Sequence, residues 1–564
     1  MPTALDNFIA AVSPAWASRR EEARAATLEA QVRNQVDGLR LQTVKRISNT
    51  GYGNSGANSM KQSMARYNYR GGSTEDDIGV YSSILAQRSR DQYMGNPIAR
   101  GALNTHVTHV VGGGLQLKSK PDAKYLGWTE EYTQLWTAQV EREWQLWSET
   151  VECSLERQFF FDELQQTAFL SALMSGDCFA LLPIVPRTNV EYDLRVHLIE
   201  ADRVLNPYVF PLTGYLMQVR LLDDGGWISG GIEFGPDGGV RAYHVAKWHP
   251  LTRQFVRDIA QWQKIETEKI APRGQRTGRR NILHLLSVER PEQRRGVPLL
   301  APVIEDLLQM RRYTEAELMA AVVTAMFTVF IKSDTPQSPL GEGIPEAIAA
   351  PPTGLEALGA DNAYRLGNGT ILGLAPDEDI VMADPKRPSS GFQPFIQAIC
   401  EQIGPALGLP YEVLLQHFSS SYSASRAALL IAWKSWQTRR QWMARRFNQP
   451  VFEEFLAEAV AKGRIDAPGF FTDARRHQAY CRANWHGPAL GTIEPVKEAQ
   501  GALMRINGGL SDEEREAAEI NGSDPRENLT IHGQMLDLRA KLGITAVLPE
   551  KLMPTTETQQ ETAK

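Results

Sequence analysis

The chain has 564 residues, with 60 basic and 66 acidic side chains and a formal charge of −6. That length excludes one small core and suggests three or four units, at one per about 100–200 residues. The near balance of charge excludes a bulk polycation, so contact with nucleic acid has to come from local basic surface.

Residues 1–50 alternate Ala with Arg and Glu, the texture of exposed helix, and show no charged segment running into a long apolar core as a signal peptide would. The Gly-, Ser- and Asn-rich stretch 51–77 predicts an arm or linker. Helical patterning returns over 77–111. There Pro97 after Asn96 suits a first helical position, and Gly112-Gly113-Gly114 a stop. His106 and His109 stand at i, i+3, a spacing two metal ligands can use, but no third ligand accompanies them and a structural role is preferred. Trp136, Val140, Trp144 and Trp147 share one side of a helix over 132–150, and 159–175 stays helical up to Gly176. Short strands then take over. Pro236-Asp237-Gly238-Gly239 between apolar runs is a hairpin signal, and RGQRTGRRN (273–281) is a basic loop leading into the strand ILHLLS.

Residues 298–332 predict the longest helix, opened by Pro298 and reaching about 50 Å if unbroken. Its apolar run 319–331 is too short to span about 30 Å of hydrocarbon, and its end, TVFIKSD, is β-branched and aromatic enough to become a strand. The Pro/Gly-rich stretch 333–391 follows. Asp377, Glu378 and Asp379 fall there in a turn led by Pro376, and a solvated turn is preferred over a metal-dependent nuclease.

Residues 392–447 read as helix, loop, helix. Gly404-Pro405 and Gly408-Leu409-Pro410 end the first helix. HFSSSYSAS (417–425) is too polar for core, and Ser425 is the expected N-cap of the next helix. That helix carries Leu429, Trp433, Trp436, Met443 and Phe447 on one stripe, with Lys434, Arg439, Arg445 and Arg446 on or near the other side. Spacing alone leaves two readings open: a packed surface helix, or support for a loop that touches a polyanion.

Residues 464–510 look irregular. Ser511 with Glu514 forms a capping-box pattern for an acidic helix, and the last dozen residues, 553–564, read as disordered. Cys153, Cys178, Cys400 and Cys481 are far apart and form no CxxC pair, which predicts buried, reduced, structural thiols. No GxxxxGK[ST] loop, Gly-x-Ser-x-Gly elbow or Cys/His pair is present, so neither ATP hydrolysis nor nucleophilic catalysis is expected, nor any cofactor or metal.

Phrases spread in order over most of the chain resemble the lambda-type family of tailed-phage portal proteins. They include RDQYMGNPIARGALNTHVTHVVGGGLQ, HLIEADRVLNP, GIEFGPDGGVRAYHV and HLLSVERPEQRRGVPLLAPVIEDL, then QAICEQIGPALGLPYEVLLQHFSSSYSASRAAL and NWHGPALGTIEPVKEAQ. The resemblance implies a mixed α/β (α+β) ring subunit with long helices and small antiparallel sheets. By order it assigns 1–77 to an arm, 78–296 to a wing, 297–332 to a first stem helix and 333–391 to a clip. It assigns 392–409 to a second stem helix, 410–425 to a tunnel loop, 426–463 to an inner wing helix and 464–552 to a crown.

Leu307, Leu308, Leu318 and Val322 would then pack the stem. His417, Phe418, Ser419, Ser420, Ser421, Tyr422 and Ser423 would line a channel for double-stranded DNA, met without sequence preference. Implied partners are further copies in a ring of twelve, a terminase, a head–tail adaptor and the major capsid or scaffold protein, with no membrane. The place is the virion's portal vertex, after assembly in the host cytoplasm. A packaging nuclease using Asp377, Glu378 and Asp379, or a minor capsid or scaffold protein with no DNA path, are the alternatives.

Overall fold

The structure is a computed structural model that describes residues 22–23, 25–33, 71–207, 220–247, 267–326, 330–333, 378–381, 391–418, 421–489, 491, 495–520, 522 and 525–543. Two units divide the chain, Met1–Ser73 and Thr74–Lys564. In the first, residues 22–23 and 25–33 are helical and exposed. Most of the expected arm 51–77 and the tail 553–564 lie outside the described residues. The arm's expected end does not hold, because Glu75–Gly79 already forms a wide π turn leading into helix. Long-range bonds fix it: Thr74 Oγ1 donates to Pro291 O at 3.2 Å, and Arg290 pairs with Asp77 at 2.6 Å.

The second unit is mixed, with long helices and small antiparallel sheets. Helices α1 (Val80–Gly95) and α2 (Pro97–Val110) meet at Asn96, whose side chain accepts from the Ile98 and Ala99 amides while Pro97 opens α2. Strand β1 (Gln116–Ser119), the short α3 (Ala123–Leu126) and α4 (Glu130–Ser148) follow. The tryptophan stripe of α4 is buried as its period predicts. Helix α5 (Phe161–Ser175) then enters β2 (Asp177–Leu181) through Gly176 at φ +87°. No side chain fits there, since a Cβ would sit 2.6 Å from the backbone of Gly296.

Strand β2 is the centre of a three-stranded sheet, between β3 (His197–Glu200) and β9 (Ile282–Leu286). A meander forms a five-stranded sheet of β4 (Arg220–Leu221), β5 (Trp227–Ser229), β6 (Ile232–Phe234), β7 (Val240–Ala246) and β8 (Thr267–Ile270). The hairpin expected at 236–239 closes β6 onto β7, with Gly238 N donating to Gly235 O at 2.9 Å. Phe179, Ile199, Phe234, Tyr243 and Ile282 form a small core shared by the two sheets.

The long helix is shorter than expected. A 3₁₀ turn, Ala301–Val303, precedes α6 (Ile304–Met326), about 35 Å of helix at 1.5 Å per residue. Pro298 does not open it, because Pro302 has no N–H to return to the Pro298 carbonyl four residues back; that carbonyl instead takes Ala301 N at 3.0 Å in the tighter turn. As its β-branched end predicted, the chain turns into β10 (Phe330–Ser333). This pairs antiparallel with β11 (Glu378–Val381), Ile331 opposite Ile380, so the insert leaves and returns on one ladder. Glu378 and Asp379 belong to that strand rather than to a turn; Asp377 and the body of the insert lie outside the described residues.

Helix α7 (Phe392–Leu407), the single turn α8 (Tyr411–Leu414) and α9 (Tyr422–Met443) come next. A wide π turn, Ala444–Asn448, joins α9 to α10 (Gln449–Ala461), so the chain is helical for about 60 Å. Pro450 accounts for the wide turn, since it offers no N–H and its ring excludes the carbonyl four residues back.

The stretch expected to be irregular contains α11 (Ala474–Tyr480), capped by Asp473, and β12 (Ala483–His486), which pairs with β1. Tyr480 and Cys481 join the main core, so by packing the C-terminal region starts after His486 rather than at 464. It holds α12 (Pro495–Asn507), α13 (Glu513–Ile520) and α14 (Pro525–Lys541). Asp512, not Ser511, caps α13, accepting from Arg515 N at 2.9 Å. All four cysteines are buried and unbridged, and burial pushes the Cys153 and Cys178 thiols up to about 12.

Candidate nucleic-acid loop and its supports

The loop begins where α7 ends. Gly408 takes a left-handed conformation, and Leu409 N returns to Gly404 O at 2.9 Å, so the chain reverses into α8. Val413 and Leu414 anchor α8 in the core, and Gln416 then turns at φ +53°. His417 and Phe418 are exposed beyond it, Phe418 by 50%. Ser419 and Ser420 lie outside the described residues.

Ser421 is exposed and stands at the N-cap of α9 with extended backbone, and Ser425 N donates to Ser421 O at 3.0 Å. The expected cap at Ser425 is therefore four residues late, and Tyr422 and Ser423 sit in the first helical turn. Among the described residues, Leu415–Phe418 and Ser421 are what lies outside helix between α8 and α9, rather than 410–425. Helix propagates into the serine run because Ser421 supplies the extended cap backbone that α9 needs.

Behind the loop, Trp433, Trp436, Met443 and Phe447 are buried and Leu429 half-buried, as the stripe predicted. Lys434, Arg445 and Arg446 are exposed. Arg439 departs from them: it is half-buried, and burial lowers its pKa. Arg440 was not singled out by spacing, yet it does more. Its guanidinium donates to the carbonyls of His109 (2.8 Å), Val110 (3.1 Å) and Pro488 (2.7 Å) and lies over the Trp433 ring. Burial brings its pKa down to about 10. The helix is thus clipped to the end of α2, where three carbonyls converge.

The two histidines of α2 face the same helix. Trp436 Nε1 donates to His106 Nδ1 at 3.2 Å, leaving His106 Nε2 to donate to Leu407 O at 3.1 Å. Burial first, and then the charge of Arg439, lower the His106 pKa to about 3. His109 stacks on Trp436 with ring centroids 4.0 Å apart. The His106 ring is a hydrogen-bonding group and the His109 ring a packing one.

The stem residues divide. Leu307 is fully buried and Leu308 half-buried, whereas Leu318 is 63% and Val322 46% exposed. Helices α6 and α7 meet through Tyr313, stacked on Phe392 (5.7 Å) and edge-on to Phe395 (4.7 Å).

A buried charge clamp was not legible in the sequence, because its members are far apart in it. Arg295 Nε donates to Asp177 Oδ2 at 2.5 Å, and its other nitrogens donate to the carbonyls of Val204, Gly230 and Ala201 at 2.8–3.0 Å. His284 Nε2 and Gly296 N donate to Asp177 Oδ1 at 3.0 and 2.7 Å. Burial would raise the Asp177 carboxyl, but the Arg295 charge and these bonds outweigh it and bring it to about 2. The clamp ties both sheets to the segment that enters α6.

Among the described residues no cluster of His, Cys, Asp and Glu is arranged to hold a metal ion, and no helix is long and apolar enough to cross a membrane.

The family model described as phage portal protein, lambda family, matches residues 60–440. The chain is 25% identical over 460 residues to Portal protein B of Escherichia phage lambda, with 78% of this chain and 81% of the relative covered. It is 26% identical over 468 residues to the portal protein of Escherichia phage N15, with the same coverage. Among solved structures it is similar to a chain in the neck of an empty gene transfer agent particle computed with C6 symmetry. That match has a TM-score of 0.39 at 13% identity and covers 78% of this chain and 94% of the other. A chain in the neck of the native particle, computed with C12 symmetry, matches with TM-score 0.39 at 14% identity and the same coverage.

Proposed function

The chain belongs to the lambda family of phage portal proteins, and we propose that its α8–α9 loop is where the portal ring meets the duplex DNA that passes through it. The protein is a structural component of the virion rather than an enzyme, a subunit of the oligomeric ring at the portal vertex of the capsid. The observation that carries this is the family match over 60–440, which takes in α6, the insert, α7 and the loop.

In this reading twelve copies close the ring in the host cytoplasm, and double-stranded DNA moves through the centre on packaging and again on ejection. Residues 78–296 form the wing, α6 and α7 the stem, and 333–391 the clip that docks the terminase and later the head–tail adaptor. The helix behind the loop belongs to the inner wing, and the C-terminal helices form a crown toward the capsid interior, with the major capsid or scaffold protein around the ring.

The mechanism is geometric. Strong ion pairs to phosphate would hold DNA in place, whereas the hydroxyls of Ser419, Ser420 and Ser421 and the neighbouring Tyr422 and Ser423 offer weak, exchangeable contacts. His417 and Phe418, exposed on the same link, complete the lining. In a ring each weak contact is repeated by every copy around the duplex. The test is to change Ser420 and Ser421 to lysine. Packaging and ejection should slow at low salt and recover as salt rises, while the alanine pair behaves like the parent. A lysine variant that matches the parent at every salt concentration would rule out loop contact with DNA.

A further inference from the structure

Five arginines from three separated segments line one open cavity of about 440 Å³ on the β-rich side of the chain. Arg273 and Arg280 come from the connection between β8 and β9, Arg294 from the segment after β9, and Arg445 and Arg446 from the π turn between α9 and α10. Among the described residues no carboxylate lines the cavity. Its floor is apolar, with Ile232, Phe234 and Ile282 buried beneath it, so a charge bound there would be less screened than on open surface.

Not all five charges are equally available. Arg280 is engaged by Glu453 at 2.6 Å, Arg273 donates to Gly278 O at 2.9 Å, and the Arg294 guanidinium lies over the Phe234 ring at 4.4 Å. Arg445 and Arg446 are exposed and make no ion pair among the described residues. The backbone that carries them is anchored, since Phe447 and Asn448 are buried directly after them. Pro450, which forces the wide turn, also lines the cavity. Two exposed guanidiniums with no ion pair among the described residues, and three further arginines around them, concentrate positive charge where an anion would bind.

We propose that this cavity grips the phosphate backbone of duplex DNA at a second place on the ring, outside the channel. Arginine forks match phosphate oxygens two at a time, and contacts of that kind carry no base preference. Three of the carboxylates a second copy of the chain would offer instead are already engaged. Glu516 of α13 is bound by Arg505 at 2.6 Å, Glu514 lies 3.8 Å from Lys120, and Asp77 pairs with Arg290. The site is also remote from the loop: Arg445 follows the start of α9 by its full length, about 35 Å at 1.5 Å per residue. The two places have opposite chemistry, hydroxyls where DNA slides and arginines where it is held. This inference rests on the reading that the ring handles duplex DNA.

The test uses pre-assembled rings and two probes, a linear duplex and a relaxed, covalently closed circle, which cannot thread a closed ring. Parent rings should bind the circle at low salt, with log affinity falling linearly against log salt. Arg445→Ala/Arg446→Ala should lose about tenfold in affinity for the circle, and its salt slope should be shallower by about 0.9 for each phosphate contact given up. Arg445→Lys/Arg446→Lys should keep the parent slope. Both variants should form rings and retain linear duplex as the parent does. If parent rings hold linear duplex but leave the circle unbound, the arginine site is wrong and the channel reading stands. If they bind the circle but not the linear duplex through the channel, the channel reading fails and the arginine site stands. Loss of rings in the alanine variant would make these arginines contacts to a second copy and overturn the proposal.

Discussion

Trp436 donates its indole N–H to His106 Nδ1 at 3.2 Å, and that bond fixes His106 as the neutral tautomer with its proton on Nε2. The Nε2 proton goes to the carbonyl of Leu407, the last residue of α7. Three helices, α9, α2 and α7, are therefore held by one imidazole between the two helices that flank the proposed channel loop.

The first prediction concerns pH. His106 has a folded pKa of about 3 against an ordinary 6.5. Below 6.5 the unfolded chain takes up a proton that the folded chain refuses, so this contribution to stability is complete above 6.5 and is lost as pH falls toward 3. His106→Gln keeps a donor and an acceptor but cannot titrate. In urea unfolding the parent's midpoint should fall over that window, and its lead over the Gln variant should shrink with it. Trp436→Phe should cost about 1–3 kcal/mol at neutral pH by leaving Nδ1 buried without a donor.

The second concerns the clamp. Asp177→Asn removes the carboxylate that faces the buried Arg295 guanidinium and should cost about 3–5 kcal/mol, read as a lower urea midpoint. The folded carboxyl titrates near 2 against an ordinary 3.8. The parent's advantage over the variant should therefore hold above pH 3.8 and fade as pH falls toward 2. An unchanged midpoint would show that the guanidinium is satisfied by the three carbonyls alone.

Local periodicity made the helices legible. The tryptophans of α4 and the stripe from Trp433 to Phe447 repeat at helical spacing, and both are buried. Helix ends were less legible because several residues in a row offer start signals and the backbone uses one of them. Pro302 denies Pro298 its helical partner and delays α6, and Ser421 rather than Ser425 takes the extended backbone at the start of α9. Non-local pairings left no local signal at all: β1 with β12, Asp177 with Arg295, and Arg440 with the end of α2. Pro450 inside an otherwise helical run was the available clue to the π turn that carries Arg445 and Arg446.

The third prediction concerns the stem. Leu318 is 63% exposed in the single chain, so Leu318→Asp should change subunit stability by no more than about 0.5 kcal/mol. In a ring the same charge would be buried against a neighbour at a cost of several kcal/mol, and assembly should be lost. Leu308, already half-buried, should respond to Asp in both assays. Normal rings from Leu318→Asp would remove α6 from the subunit interface.

The fourth concerns the insert that leaves on β10 and returns on β11. Deleting 336–352 should spare the fold of the rest of the chain, read by an unchanged urea midpoint. It should abolish docking of the packaging motor or adaptor, read by co-sedimentation with rings. Docking and packaging at parental level would make the insert a linker.

The central claim is that many copies close around a hole, and an image of the purified full-length protein tests it most directly. Electron micrographs should show closed rings with a central opening wide enough for one DNA duplex and a single rotational symmetry. Monomers, or filaments with no opening, would contradict the account.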